Sequence, residues 1–259
     1  MRTVSRLSIA PVKGLALLHP EEIEIGPRGV HGNREFFLMD ERGRKFDQIE
    51  HGPLGVVRAE FDAAADRLTL HFPDGMTLRD EVRLGEEVSA RFSNGRKIVR
   101  GRVVNGSFAS ALSDYAGTTL QLVKPDDSAQ LLRSRGPVTI LADASVDELA
   151  RRAGREHVDG RRFRMLISVA GCEPHEEDEW IGRKVRVGEA VVRVLEEVDR
   201  CAVTTQDPET GVPDLDTLRT IGVYRGIRKR RKINRIDFGV FGEVEQPGRV
   251  RVADPVEPV

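Results

Sequence analysis

The side chains best suited to chemistry lie in one short segment, residues 200–211, which reads RCAVTTQDPETG. Cys201 supplies a thiol, two threonine hydroxyls follow, and the DPETG sequence favours a sharp turn. A thiolate attacks electrophiles and binds soft metals, and a neighbouring arginine stabilises its charge. An unpaired cysteine also packs well as a small buried hydrophobe. From the residues alone, Cys201 is therefore either a reactive thiol or a structural one.

Strands are the main elements expected to position this segment. Short β-rich runs and turn signals dominate the chain, so we predict a strand-rich α+β fold. Alternating apolar residues predict a strand over 190–198 that presents Cys201 just beyond its end. The sequences VRLGEEV at 82–88 and VRVGEAV at 185–191 are both typical of a hairpin with a tight Gly-Glu turn.

Three segments have the spacing of short helices, each followed by a glycine. They are 107–115 before Gly117, a helix that starts at the capping-box pattern Ser145-Val146-Asp147-Glu148 before Gly154, and 216–221 before Gly222. The periodic spacing of apolar residues is lost over residues 124–128, between the first two predicted helices. We therefore place a domain boundary near residue 120. This divides the chain into units of residues 1–120 and 121–259, with interleaving of segments left open.

Composition and charge exclude several classes of protein. The chain has 259 residues, 39% of them hydrophobic and 32% charged, and its formal net charge is -1. No overall field would attract nucleic acid or an anionic membrane. The longest apolar runs are far shorter than the ~20 residues of a membrane span, and the first residues do not read as a secretory signal. The two cysteines, Cys172 and Cys201, form no CxxC motif, so we expect a cytoplasmic protein.

Several common functional motifs are missing from the sequence. It contains no GxGxxG or GxxxxGK[ST] motif for nucleotides and no GxSxG nucleophile elbow. Its six histidines are scattered without the spacing of a zinc site. The cysteine segment is therefore the strongest chemical signal in the chain.

That segment also resembles a known family. RCAVTTQDPETG is similar to the cysteine motif of MOSC-domain proteins (molybdenum cofactor sulfurase C-terminal domain), especially those like the mitochondrial amidoxime-reducing component and its bacterial relatives. Further segments resemble the family in the same order along nearly the whole chain. They are IAPVKG at 9–14, HGNREF at 31–36, DAS at 143–145, RFR at 162–164, AGC at 170–172, EDEW at 177–180, FGVF at 238–241 and ADPV at 253–256.

The resemblance implies an N-terminal β-barrel-like domain, a MOSC β-barrel domain with a few short helices, and a molybdenum cofactor (molybdopterin carrying molybdenum). It implies that Cys201 is the protein ligand of the metal and that Cys201 and Asp207 are catalytic. The positions that match cofactor-binding ones are Lys13, Gly14, Arg34, Ser145, Arg164, Arg200, Thr204 and Thr205. Four positions depart from the family pattern: Met165-Leu166 replaces Pro-Asn, Ala142 replaces Thr, and Phe241 replaces an aromatic hydroxyl.

The implied function is an oxidoreductase that reduces N-hydroxylated small molecules with electrons from a separate donor protein. Two alternatives stay open. A persulfide on Cys201 would make the chain a sulfur-transfer protein, and a chain without catalysis would be an anion- or nucleic-acid-binding module. We expect Cys172, which follows an apolar strand and matches no ligand position, to be structural.

A run of five cations, RKRRK at residues 228–232, is the best evidence for a binding surface. We expect it to form an exposed loop, because a core cannot bury unpaired charges. Opposite charge would steer an acidic electron donor to this loop. Nucleic acid is not the expected partner, since no aromatic residues are interleaved with the cations.

Overall fold

The computed structural model describes residues 1–92, 97–131, 136–230 and 233–259. These residues form many short strands, three α-helices and several 3₁₀ segments, so the prediction of a strand-rich α+β fold is confirmed. Within the same ranges, every helix is too short or too polar to cross a bilayer.

The elements up to Pro125 are mostly strands. They are β1 (Thr3–Leu7), β2 (Glu22–Gly26), β3 (Gly29–Val30), β4 (Phe37–Asp40), β5 (Lys45–Phe46), β6 (Arg58–Asp62), β7 (Arg67–His71), β8 (Thr77–Glu81), β9 (Arg83–Phe92), β10 (Lys97–Asn105), helix α1 (Phe108–Ala116) and β11 (Leu120–Pro125). The later elements are β12 (Val138–Ala142), α2 (Asp143–Arg152), β13 (Ile167–Ala170), β14 (Lys184–Val187), β15 (Ala190–Asp199), α3 (Thr217–Arg225), β16 (Arg228–Arg230), β17 (Ile233–Arg235), β18 (Asp237–Gln246), β19 (Gly248–Arg251) and β20 (Val256–Pro258).

The larger sheet positions the cysteine segment. It is a nearly closed, barrel-like sheet of seven strands in the order β1-β13-β12-β18-β15-β14-β20. Its long strand β15 buries Val192 and Val194 completely, because β-branched side chains pack well on a pleated surface. β15 ends at Asp199, two residues before Cys201. The strand predicted over 190–198 is thus confirmed.

A second sheet, in the order β5-β4-β11-β10-β9, has a separate core. Helix α1 packs Phe108 and Leu112 against Leu122 of this sheet. The helix ends at Gly117, whose φ of 66° is left-handed and favours glycine. The predicted helix and its glycine stop are therefore confirmed to within one residue.

The first strands pair with strands far along the chain. β1 pairs with β13 in the larger sheet, and β2 pairs with β19 in a separate three-stranded sheet, β19-β2-β3. Val4, Leu7 and Ile25 accordingly lie in the core of the larger sheet. Strand pairing thus crosses residue 120, and the division into units 1–120 and 121–259 stays a prediction.

Two helix boundaries differ from those expected. Ser145 does not cap α2, because the helix begins at Asp143 and the Ser145 hydroxyl donates to the Glu177 carboxylate. The stop expected at Gly222 is also wrong. α3 runs through Gly222 to Arg225, and the left-handed residue that ends it is Gly226, with a φ of 86°.

The two predicted Gly-Glu hairpins have different outcomes. The pattern at 185–191 forms the turn between β14 and β15, as expected. All but the first residue of the pattern at 82–88 lie within the continuous strand β9. Between the pairs Leu84 with Val104 and Glu87 with Arg102, β9 carries one more residue than β10. Gly85 therefore marks a β-bulge and not a turn.

The basic run is also different from the expected loop. Arg228–Arg230 forms β16, which pairs with β17 as a two-stranded ribbon. Arg228 is bonded to Glu197 at 2.9 Å and to Asp237 at 2.7 Å, so its charge is already neutralised. Arg231 and Lys232 lie outside the described residues.

Candidate cofactor site

A cavity of about 500 Å³ opens beside the cysteine segment. Its walls come from the loops around residues 8–17, 33–34 and 47–49, from the turn at 162–166, and from the end of β15. Seven of the predicted site residues line it: Lys13, Gly14, Arg34, Arg164, Arg200, Cys201 and Thr204. Residues far apart in the sequence therefore meet around one thiol.

Cys201 is exposed at the start of a 3₁₀ turn, Ala202–Thr205. The Cys201 carbonyl accepts hydrogen bonds from the Thr204 amide at 3.1 Å and the Thr204 hydroxyl at 3.0 Å. The Thr204 hydroxyl also contacts the Thr217 hydroxyl of α3 at 2.7 Å. These bonds fix the backbone of Cys201 and leave its thiol side open.

Arg162 secures the rest of the cysteine loop from inside the protein. Its side chain is only 3% exposed and is paired with Asp214 at 3.0 Å. Its guanidinium also donates to the carbonyls of Thr204 at 3.2 Å and Gln206 at 3.4 Å. A planar guanidinium suits this task because it bonds several oxygens at once.

Thr205 and Asp207 do not line the cavity. The Thr205 hydroxyl donates to the Ala202 carbonyl at 2.7 Å. The Asp207 carboxylate accepts from the amides of Glu209 and Thr210, both at 2.9 Å, and so shapes the turn that follows. Asp207 lines a neighbouring smaller cavity, and its catalytic role and the cofactor contact of Thr205 stay predictions.

Ser145 is likewise separate from the cavity. It is completely buried, and its hydroxyl donates to the Glu177 carboxylate at 2.9 Å and accepts from the His175 amide at 2.8 Å. Burial raises the pKa of Glu177 to about 7, although the bond from Ser145 opposes this. Within the described ranges, Ser145 therefore contributes to a buried network at the start of α2, and its cofactor contact stays a prediction.

Two arginines of the cavity have unusual backbones. The φ angles of Arg34 and Arg164 are 61° and 52°, in the left-handed region that costs most residues about 1 to 2 kcal/mol. Arg164 also donates to the Leu15 carbonyl at 2.6 Å. Burial lowers its pKa to about 10, with help from Arg34, so it stays charged at neutral pH. The fold thus holds two cations at this wall despite backbone strain.

Arg200 also lines the cavity, but its guanidinium is bonded to backbone carbonyls of the wall. Its guanidinium donates to the Phe238 carbonyl at 2.8 Å and the Phe163 carbonyl at 2.9 Å, and it lies over the Phe163 ring. These bonds join the end of β15 to the turn before Arg164. Arg200 therefore braces the cavity beside Cys201.

The cavity fits an anionic, metal-bearing cofactor in charge and in donor type. Among the residues that the structure describes, six lysines and arginines line it against two carboxylates. The cations are Lys13, Arg34, Lys97, Arg162, Arg164 and Arg200, and the acids are Asp47 and Asp199. A phosphate is stabilised by such an excess of cations, and the Cys201 thiolate is a donor for a soft metal. In the described part of the chain, no three His, Cys, Asp or Glu side chains are grouped so that they could hold a metal ion together.

Family models match both halves of the chain. The MOSC domain model covers residues 126–257, and the model of the MOSC N-terminal beta barrel domain covers residues 1–118. The chain belongs to the MOSC domain family. The resemblance seen in the cysteine segment is thereby confirmed for the whole chain.

This MOSC protein is similar to curated amidoxime-reducing proteins. Mitochondrial amidoxime reducing component 2 of Macaca fascicularis is 32% identical over 186 residues, which cover 66% of this chain and 51% of that protein. Mitochondrial amidoxime-reducing component 1 of Xenopus laevis is 27% identical, with 98% of this chain and 81% of that protein covered. The chain spans about half the length of the macaque relative. Among solved structures, the YUAD protein of Bacillus subtilis matches 99% of this MOSC chain and is itself covered to 94%, with a TM-score of 0.47 and 13% identity.

Sequence reasoning missed two residues of the MOSC site. Asp47 lines the cavity and bonds Lys13 at 3.0 Å, but no motif surrounds it in the sequence. Arg162 lies in the RFR segment, where only Arg164 was assigned a role. Arg162 stands next to Arg161 and two residues before Arg164, so no local pattern distinguished it as the buried one.

Proposed function

We propose that this MOSC protein is a molybdenum-cofactor oxidoreductase that reduces N-hydroxylated compounds. The observation that carries this proposal is the exposed Cys201 thiol in a cavity with an excess of cations. The similarity to proteins named amidoxime-reducing components supports the substrate class. The reaction consumes two electrons and two protons, and it converts an N-hydroxyl compound into the N–H compound and water.

Different residues would bind the metal and the phosphate of the cofactor. Cys201 would ligate the metal through its thiolate, while Lys13, Arg34 and Arg164 would bind the phosphate of the pterin. Arg162 and Arg200 would keep the cysteine loop and the cavity wall in place, since both are bonded to backbone carbonyls. The bound cofactor supplies the two-electron redox centre, and a separate protein supplies the electrons.

The experiment compares the two cysteines in protein made by a host that synthesises molybdenum cofactor. We expect Cys201→Ala to lose reduction of a benzamidoxime probe and the metal's thiolate-dependent spectrum. Cys172→Ala is the matched control, because Cys172 packs against the core and burial raises its pKa to about 12. It should keep full activity. An active Cys201→Ala protein with an unchanged metal spectrum would refute the assignment.

Sulfur transfer is the second candidate, and the exposure of the Cys201 thiol favours it. Such a protein would accept a sulfur atom from a persulfide donor and release it to a metal centre. Mass spectrometry of protein treated with a persulfide donor would detect one added sulfur on Cys201. Stable molybdenum in the purified protein, together with reductase activity, would contradict this candidate.

A further inference from the structure

A buried carboxylate joins two lysines in the wall of the cavity. The Asp47 side chain is only 4% exposed, and its Oδ2 atom accepts from Lys13 Nζ at 3.0 Å and from Lys45 Nζ at 2.6 Å. Its Oδ1 atom accepts from the Ile49 amide at 3.0 Å. The Asp47 amide donates to the Glu50 carboxylate at 2.9 Å. The Asp47 side chain is thus held by its own loop, through Lys45 and Ile49, and by Lys13 from an earlier loop.

The four charged groups of this cluster balance one another. Lys45 lies beside two carboxylates, those of Asp47 and, at 3.7 Å, Glu50, while Lys13 is paired with Asp47. Although burial opposes ionisation, the two lysines keep the pKa of Asp47 well below its ordinary value. The surplus positive charge around Lys13 is that of the cavity lining, in which the described lysines and arginines outnumber the carboxylates.

The environment of Lys13 makes that charge sensitive to pH. Burial lowers its pKa to about 8, Asp47 partly opposes this, and Arg34 and Lys45 add to it. Arg164 lies beside Arg34 and remains charged. A neighbouring anion would reverse the shift, because an opposite charge favours the charged form of an amine.

The backbone reinforces the contact between the two residues. Gly14, which follows Lys13, has a φ of +90° and lies so close to Asp47 that a Cβ there would be 2.4 Å from the Asp47 Cβ. The ion pair and this backbone contact together fix Lys13 relative to Asp47. A binding group that is held before its ligand arrives loses less entropy on binding.

We propose that Asp47 is a positioning residue that holds the Lys13 ammonium ready for a phosphate dianion in this cavity. The proposal rests on the function proposed above, in which Lys13 contacts the cofactor phosphate. Binding of the dianion at pH 8 should take up a proton on Lys13. The affinity for phosphate should fall as the pH rises beyond 8, because neutral Lys13 offers the anion no charge.

The test uses the 259-residue protein without cofactor, labelled with ¹³C-lysine, and inorganic phosphate as the probe. NMR titration reports the pKa of Lys13 directly, with Lys13→Ala to assign its signal. Asp47→Asn should lower the pKa of Lys13 further and weaken phosphate binding at pH 7.5 about tenfold, the loss of one charge-supported contact. Asp40→Asn is the matched control, since Asp40 is also buried and paired, with Arg44, but does not line the cavity.

A second variant tests positioning against simple structural support. Lys45→Met removes the second cation from Asp47, so the pKa of Lys13 should rise. The affinity for phosphate should still fall, because the group around Asp47 loses one positive charge. The two variants thus shift the pKa of Lys13 in opposite directions. An unchanged Lys13 titration in both, or an unchanged phosphate affinity in Asp47→Asn, would overturn the proposal. Failure of the reductase assay alone would count against the proposed function and not against this coupling.

Discussion

The buried guanidinium of Arg162 donates to the carbonyl of Thr204, three residues beyond Cys201. The same group bonds the Gln206 carbonyl and the Asp214 carboxylate, so one arginine holds together the two ends of the segment 204–214 that follows the thiol. The position of the thiol therefore depends on a residue that does not touch it.

Replacement of Arg162 should therefore damage the cofactor site indirectly. Arg162→Leu leaves the Asp214 carboxylate and two carbonyls without their partner, and we expect a loss of about 2 to 4 kcal/mol in the free energy of unfolding. Molybdenum content should fall although Cys201 is intact. Urea unfolding and metal analysis measure the two effects. Arg155→Leu is the control, because Arg155 is exposed and its guanidinium donates only to the backbone carbonyl of Asp214. Equal effects of both variants would contradict the role given to Arg162.

Gly14 and Gly75 offer a matched pair for the contact with Asp47. Both have a φ of +90°, but only the Gly14 position is crowded, while open space surrounds Gly75. Gly75→Ala should cost about 1 to 2 kcal/mol for backbone strain alone. Gly14→Ala should cost a further amount of about 1 to 3 kcal/mol because Asp47 must move. Thermal unfolding compares the two variants. Equal losses of unfolding free energy would show that Asp47 moves aside without strain.

The buried Glu177 carboxyl should make stability depend on pH. Its pKa is raised to about 7 in the folded protein from 4.5, so the folded state binds more protons between these values. Stability should therefore fall as the pH rises from 4.5 through 7. Glu177→Gln should raise the free energy of unfolding by about 1 to 3 kcal/mol at pH 8 and change it little at pH 4. Urea unfolding at the two pH values measures this, with the exposed Glu179→Gln as control. A pH-independent effect of Glu177→Gln would contradict the prediction.

Two neighbouring cations of β16 should respond differently to substitution. Arg228→Gln leaves Glu197 and the largely buried Asp237 without their cation, and we expect a loss of about 1 to 3 kcal/mol in unfolding free energy. Lys229 is exposed, so Lys229→Gln should change stability by less than about 0.5 kcal/mol. Chemical denaturation distinguishes the two. If Arg228→Gln is as stable as the unchanged protein, the prediction is wrong and Arg228 is a surface charge that is available for docking.

Local patterns predicted the elements whose signals act over a few residues. The strand that leads to Cys201 follows from alternating valines, and α1 follows from its spacing and from Gly117. The same reasoning failed where a glycine had two possible uses: Gly85 makes a bulge and Gly222 continues a helix. The roles of Asp47 and Arg162 depend on partners brought near by the fold, which no local pattern encodes.

The pairing of the chain start with late strands also constrains folding during synthesis. β13, the partner of β1, is synthesised more than 150 residues after it, and β19 follows its partner β2 by more than 200 residues. Val4 and Leu7 stay without their core throughout that interval. Contacts over such long sequence separations slow folding. We therefore expect β1 to join the larger sheet only after β13 has been synthesised.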